Sequence, residues 1–419
     1  MAGIRPPYPN ALSSTGDGNS GALRTLPSGT YAHGARSRLE IRLEGQLQTR
    51  NVPNLTEIEL AAIESGNNLA DGHARYELTA SQQKIINQLG EMYALAAEAS
   101  PALLDQKAQS AFLTAVGQHS AMAGAEVLSC YSSSVAMEIT ARSLYTSGVR
   151  RVALIHPTFD NIPDILRGAG MDLTPMSEDS VMAGSGRLPA GAEVLFITTP
   201  NNPTGQVLLP EALTHWAREC ASKDAVLVLD SSFRGFDERA QYDHYAILVQ
   251  EGCRYIIMED TGKLWPTLDL KIGFLAFPRD ERLPLHRIYT DILLGVSPLL
   301  MLLVQRFAED AQDGGFSELH RFIRSNRALL RKRLSGIPAT SFPDADSRIS
   351  VERLALPAGV TGSDMRHALC ERGVHVLPCR QFYWAEPEAG ERYIRLALSR
   401  PPEMIRTAAA AICDCIERG

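Results

Sequence analysis

Between residues 126 and 278 the chain repeats one unit, a short apolar run of strand length followed by a longer stretch of helical periodicity. The runs are EVLSC (126–130), RVALIHP (151–157), EVLFITTP (193–200), AVLVLD (225–230), YIIMED (255–260) and IGFLAFP (272–278). Strands that are apolar throughout must be covered on both faces, and alternation with helices makes neighbouring strands parallel. The expected fold class is therefore α/β, a mostly parallel central sheet with helices on both faces. The same constraint says where to look for function. Open sheets of this kind bind ligands at the carboxyl edge, and Asn202, Asp230 and Asp260 end or closely follow three of the runs.

On either side the pattern changes. Residues 1–45 are rich in Gly, Ser and Pro without a sustained period and read as a flexible arm. Asn54-Leu-Thr-Glu57 offers a helix start, with the apolar positions Ile58, Leu60, Ala61 and Ile63 after it. Residues 46–100 are expected to be a helical N-terminal segment and 101–300 a large domain. Then come SPLLMLLVQRFAEDA and SELHRFIRSNRALLRKRLSG, the second ending at a Gly stop signal. RISVERLAL, GVHVLPCR and RYIRLALS follow, so 301–419 is expected to be a small α/β domain. A chain of 419 residues with 45% hydrophobic content can bury cores for both parts.

Several function classes are excluded by composition. A formal charge of −7, with both signs interspersed, leaves no broad basic surface for a phosphate backbone, so no nucleic-acid partner is expected. Seven cysteines lack paired CxxC spacing, which argues against a metal site and a disulfide framework and fits a reducing cytoplasm. The stretch MAGIRPPYPNALSSTGDGNS has no apolar core, and no apolar run approaches ~20 residues, so neither secretion nor a membrane span is expected.

The strongest chemical signal is TTPNNPTG (198–205), then VLVLD ending at Asp230, then DTGK (260–263) with a second lysine at Lys271. Singly each is ordinary: NPTG makes a turn, a strand-terminal Asp caps helices, and a lone Lys is usually solvated. In this order and spacing they resemble the fold-type I aminotransferases (the aspartate aminotransferase superfamily), whose cofactor is pyridoxal 5'-phosphate (PLP).

That chemistry requires such groups. A lysine forming a Schiff base must present a neutral amine, and Lys263 is the candidate. A carboxylate must keep the pyridine nitrogen protonated so that the ring can accept electrons, and Asp230 fits, with Ser232 beside it. The resemblance places Asn202 on the ring's 3'-oxygen and Phe159 against the ring face. Lys271 stands where the family usually has an Arg on the phosphate. Ser132, Ser133 and Ser134, in CYSSSV between a strand and a helix, would add donors at a helix N-terminus. Arg395 takes the position that clamps a substrate α-carboxylate, for which a guanidinium is suited; Arg392 and Arg400 beside it read as surface charges. Two positions depart from the family: Phe233 replaces a Tyr that tunes the 3'-oxygen, and Asp260 replaces a phosphate-binding Ser. A carboxylate beside a phosphate would be repelled, so Asp260 is expected to turn toward the substrate.

Longer motifs narrow the resemblance. NNLADGHAR (67–75) with Glu59 upstream, SCYSSSV, HPTFDNI, DSSFRGFD, YDHYA, EDTGKLWPTLDLK, YTDILLGVSPL and LPCRQFYWAEP are similar to the PLP-dependent L-arginine oxidases and hydroxylases of enduracididine-type biosynthesis. The resemblance runs from about residue 50 to the end. It implies oxidation of L-arginine by O2 without metal or flavin, with 4-hydroxy-2-oxoarginine or 2-oxoarginine as product. It assigns Glu59 and Asp260 to the guanidinium, Asp71 and His73 to an N-terminal lid, and Arg395 to the α-carboxylate. A permanently cationic substrate wants carboxylates in its pocket, and a histidine suits proton traffic near neutral pH. A homodimer is expected, with the apolar segment 291–300 at the interface. The alternatives are an arginine oxidase giving a 2-oxo or dehydro product without hydroxylation, a conventional aminotransferase, or a non-catalytic effector module of a transcription regulator with the same fold.

Overall fold

A computed structural model describes residues 53–280, 282–314 and 316–418; the expected arm, residues 1–45, lies outside the described residues. The first helix is α1 (Leu55–Ala61), capped by a box in which Asn54 and Glu57 each accept the other's backbone N–H. Its buried side is Leu55, Ile58 and Ala62, one helical stripe. Of the apolar positions expected there, Leu60 and Ile63 face solvent instead. A two-residue strand, β1 (Asn67–Asn68), follows.

The apolar runs become strands within a residue or so of their expected limits. They are β2 (Glu126–Cys130), β3 (Arg151–His156), β5 (Val194–Thr198), β6 (Val226–Asp230), β7 (Arg254–Asp260) and β8 (Gly273–Phe277). An unexpected β4 (Asp172–Ser177) joins them. Its sequence DLTPMS is polar and carries Pro175, which a sheet tolerates at an edge, and β4 is the edge. The order is β2-β8-β7-β6-β5-β3-β4, with β8 alone running against the rest. Strands β5 and β6 are buried at every position, as their unbroken apolar runs require.

Because β8 is antiparallel, it begins at the edge where β2 and β7 end. Gly273 there passes the turn into α2 (Ser133–Thr146) so closely that a Cβ would lie 2.4 Å from the Ser132 carbonyl carbon. Only glycine permits that approach.

Helices α3 (Pro298–Gly314) and α4 (Ser317–Leu334) follow, and Gly336 stands just past the second. The chain then forms β9 (Val351–Ala355), β10 (Val374–His375), β11 (Leu377–Pro378), β12 (Tyr393–Ala397) and α5 (Pro402–Arg418). Strands β11, β12 and β9 make a three-stranded antiparallel sheet, and β10 pairs with β1 in parallel. The buried stripe of α1 packs with Leu377, Cys379 and Phe382, so the N-terminal segment is seated on the C-terminal sheet. No helix among the described residues is long and apolar enough to cross a membrane.

Gly273→Ala is expected to push β8 away from the serine turn and destabilise the protein by about 1–3 kcal/mol, read as a lower urea midpoint. An unchanged midpoint would show that the turn yields without cost.

Candidate active site

The carboxyl edge of the large sheet gathers most of the residues singled out by sequence. Asp230 ends β6, is buried, and accepts from Ser232 N (3.1 Å) and Ser232 Oγ (2.5 Å). Asp260 ends β7 and accepts from Ser133 Oγ (2.7 Å) and Gly262 N (2.5 Å). Lys263 follows on the next turn, with Nζ 3.7 Å from Asp260 Oδ2 and 5.2 Å from the centre of the Phe233 ring. Ser132 caps α2 by accepting from Val135 N (3.2 Å), whereas Ser134 is exposed.

These contacts separate the two aspartates electrostatically. Burial is the largest influence on both and raises both pKa values. For Asp230 burial prevails over Ser232 and Lys263, and the pKa stays above the ordinary range. For Asp260 the Lys263 charge, the Ser133 hydroxyl and the Gly262 N–H together prevail, and the pKa falls below it. Asp260 is thus a compensated anion, and Asp230 a carboxylate still short of positive charge. Asp260, expected to turn toward the substrate, is held here by Ser133 of the serine turn and lies beside Lys263.

Asn202 follows β5 and carries a buried amide oxygen with no hydrogen-bond partner. Its loop is anchored by Glu178, which accepts from Asn201 Nδ2 (2.6 Å) and Thr204 Oγ1 (2.5 Å) and whose pKa burial pushes up to about 7. The sequence gives no sign of Glu178, since its partners lie more than twenty residues away. Phe159 is half-buried and meets Phe382 edge-on at 5.6 Å, beside the seat of α1.

A second cluster joins the N-terminal segment to this edge. His73 donates Nδ1–H to Asp71 Oδ1 (2.6 Å), and Lys271 Nζ lies 3.1 Å from His73 Nε2. Asp71 also takes Arg75 Nε at 2.9 Å. Burial alone would raise the Asp71 pKa, but the hydrogen bond and charge of His73, with Arg400, hold it well below the usual range. Arg395 is buried; its Nη2 lies 3.3 Å from Glu59 Oε1 and donates to Ala70 O, while its Nε has no partner. Burial, the largest influence on Glu59, raises its pKa despite Arg395. Glu59 and Asp260, expected to act as a pair, therefore have separate partners.

Arg400 overturns its assignment as a surface charge. It is fully buried and donates to the carbonyls of Asn68, Asp71 and His73. Its acceptors lie more than three hundred residues away, so sequence alone could not show them; Arg392 is exposed as expected. A separate cavity of about 910 Å³, walled by Tyr76, Trp265, Phe316 and Phe322, contains none of Asp230, Asn202, Asp260 or Arg395.

The sequence profile described as aminotransferase class I and II matches residues 67–412. The chain belongs to that family. At 50% identity and a TM-score of 0.80 it is similar to MppP, a structure described as soaked with the product 2-ketoarginine; the match covers 83% of this chain and 99% of that one. Among curated relatives, histidinol-phosphate aminotransferase of Symbiobacterium thermophilum is 26% identical over 52% of this chain and 55% of its own length. That of Methanosphaerula palustris is 26% identical over 59% and 66%. The chain thus spans between about half and two thirds of these curated relatives. Aspartate aminotransferase from Thermus thermophilus with maleate, at 16% identity, a TM-score of 0.71 and coverage of 88% and 98%, shares the fold.

The family's cofactor is PLP, and the residues present fit it. A buried carboxylate short of positive charge suits a pyridinium nitrogen, and the Asn202 side chain, whose buried amide oxygen has no partner, is not tied into the protein's own hydrogen bonds at that atom. Backbone N–H groups at the start of α2 and the Lys271 ammonium would supply donors and charge for a phosphate.

With Lys263→Ala, borohydride reduction of the holoprotein is expected to leave no cofactor mass on the chain. Cofactor mass still attached to the variant would move the assignment to another lysine.

Proposed function

We propose that this chain oxidises L-arginine with PLP as cofactor and O2 as electron acceptor. The observation that carries the reading is the opposed polarity of the lid cluster: Glu59 and Arg395, a carboxylate and a guanidinium, meet behind the lid segment. The similarity to MppP over nearly its whole length supports it. PLP, when bound, supplies an electron sink for the charge left when a proton leaves the carbon bearing the substrate amine.

The chain's residues do the rest. Arg395, with its unpartnered Nε, would take the α-carboxylate, and Glu59 would take the substrate guanidinium, with Asp260 as the second anion. An extended arginine cannot fit between groups 3.3 Å apart. The pair would have to open on binding and the lid re-seat around the substrate. Lys263, between Asp260 and the Phe233 ring, is the group placed to move a proton at the substrate carbon. Asp71 and His73 would close the pocket to bulk water.

Formation of 2-ketoarginine removes two electrons and the amine. O2 would leave as H2O2, the nitrogen as ammonia, and water would supply the keto oxygen. The hydroxylated product, 4-hydroxy-2-oxoarginine, requires a second O2 to take a second pair of electrons and leave as H2O2, and a second water to add. The reading includes the division at about residues 46, 101 and 301, a cytoplasmic homodimer, and the lid role of 46–100. Leu294, fully exposed within 291–300, is the apolar side chain that a partner would cover.

With L-arginine the holoenzyme is expected to consume O2, form H2O2 and yield a product of 2-oxoarginine or hydroxy-2-oxoarginine mass. Glu59→Ala should raise KM for arginine by about 10–100-fold, the loss of one charge-assisted hydrogen bond worth about 1.5–3 kcal/mol. Amino transfer to a ketoacid with O2 untouched would establish a conventional aminotransferase.

A further inference from the structure

We infer that Arg400 is a positioning residue that holds the lid in register with the catalytic edge. It touches neither Lys263 nor Asp230. Its guanidinium is fully buried just past β12 and gives most of its N–H groups to backbone carbonyls of the lid segment. Nε donates to Asn68 O, Nη1 to His73 O at 2.7 Å and to Ser399 O at 2.9 Å, and Nη2 to Asp71 O. The Asp71 carboxylate lies 3.6 Å away and balances the charge.

The geometry reaches the site through Asp71. One Asp71 oxygen takes both the His73 backbone N–H (2.7 Å) and Nδ1–H (2.6 Å), which fixes the ring and turns Nε2 to Lys271 Nζ at 3.1 Å. Two further bonds tie the same stretch to the end of β12: Ala397 N to Leu69 O at 2.8 Å, and Arg75 N to Ser399 O at 3.0 Å. The first lies inside 68–73, where Leu69 N also donates to His375 O at 2.8 Å and Arg395 donates to Ala70 O, and the second lies just past it. Within that stretch three carbonyls converge on one side chain and are met from three separate nitrogens of a planar fork, whereas a lysine's donors radiate from a single atom. Arg400 therefore sets the path of the backbone on which Asp71 and His73 stand.

This inference rests on the reading of residues 46–100 as a lid, and its test is independent of which amino acid the enzyme oxidises. In the holoenzyme, hydrogen exchange would be followed over 67–75 for wild type, Arg400→Lys and Arg400→Gln. Steady-state kinetics, the cofactor absorbance spectrum and the unfolding transition would be recorded in parallel.

Arg400→Lys keeps the charge and loses the fork. It is expected to speed exchange over 67–75 and to lower kcat by about tenfold or more, up to the hundredfold that a small misplacement can cost. Cofactor content and spectrum should stay as in wild type, because Asp230, Lys263 and Ser133 are untouched. Added guanidinium ion should restore part of the turnover of Arg400→Gln, since it refills the vacated fork. Wild-type exchange and turnover in Arg400→Lys would overturn the assignment. A turnover loss that tracks lost cofactor, or loss of the unfolding transition in both variants, would overturn it too, since the role would then belong to the whole fold. If L-arginine proves not to be the substrate, the exchange result stands, so the two failures can be told apart.

Discussion

Two carboxylates buried at the ends of adjacent strands must be balanced, and the catalytic edge depends on how that is done. Asp230 and Asp260 each raise the cost of ionising the other, and water is too distant to screen them well. Position then decides which carboxylate carries its charge. Asp260 lies within reach of Lys263, Ser133 and the Gly262 N–H, and ionises readily. Asp230 has Ser232 as its hydrogen-bond partner and a weaker pull from Lys263. The asymmetry leaves Asp230 able to stabilise an arriving cation, which a pyridinium cofactor would be.

Behind this pair the fold spends a further buried ion pair. Arg234 donates Nε to Glu259 Oε1 at 2.9 Å, both side chains are buried, and burial pushes the Glu259 pKa up to about 7. Glu259 precedes Asp260 on β7, and Ser231, which accepts from Arg234 Nη2 at 2.8 Å, follows Asp230 on β6. One guanidinium thus ties together the two strand ends that carry the aspartates. Such pairs add little net stability over well-packed apolar side chains, and breaking one leaves a buried charge exposed to its full desolvation cost. Their value here is geometric: the strand ends cannot drift apart without separating Arg234 from Glu259.

What the sequence revealed follows from the range of the forces involved. The apolar runs, the Asn54 cap and the serine turn are local, and they fold as their patterns imply because neighbours in sequence set them. The places of Asp230 and Asp260 at the ends of β6 and β7, with Asn202 and Lys263 in the loops just after β5 and β7, were legible because a strand end is a topological position. Arg400 was not, since its burial depends on carbonyls more than three hundred residues away in sequence. The exposure of Leu60 and Ile63 has the same origin: α1 is short, and the C-terminal surface that seats it chooses the stripe of Leu55, Ile58 and Ala62. Glu178 escaped notice because a buried acid that anchors a loop looks, in sequence, like any acidic helix start.

The substitution of Lys271 for the family's usual arginine then acquires a physical meaning. An arginine fork would commit its donors in one plane to a phosphate, whereas an ammonium offers three donors about a single atom. In this structure Lys271 Nζ lies 3.1 Å from His73 Nε2, and its charge also contributes to holding the Asp260 pKa down. A lysine here can give one N–H to His73 Nε2 and keep its other donors for a second partner. His73 can accept that bond because Asp71 takes its Nδ1–H. Lys271 therefore links the segment around Asp71 and His73 to the Asp260 carboxylate through one side chain.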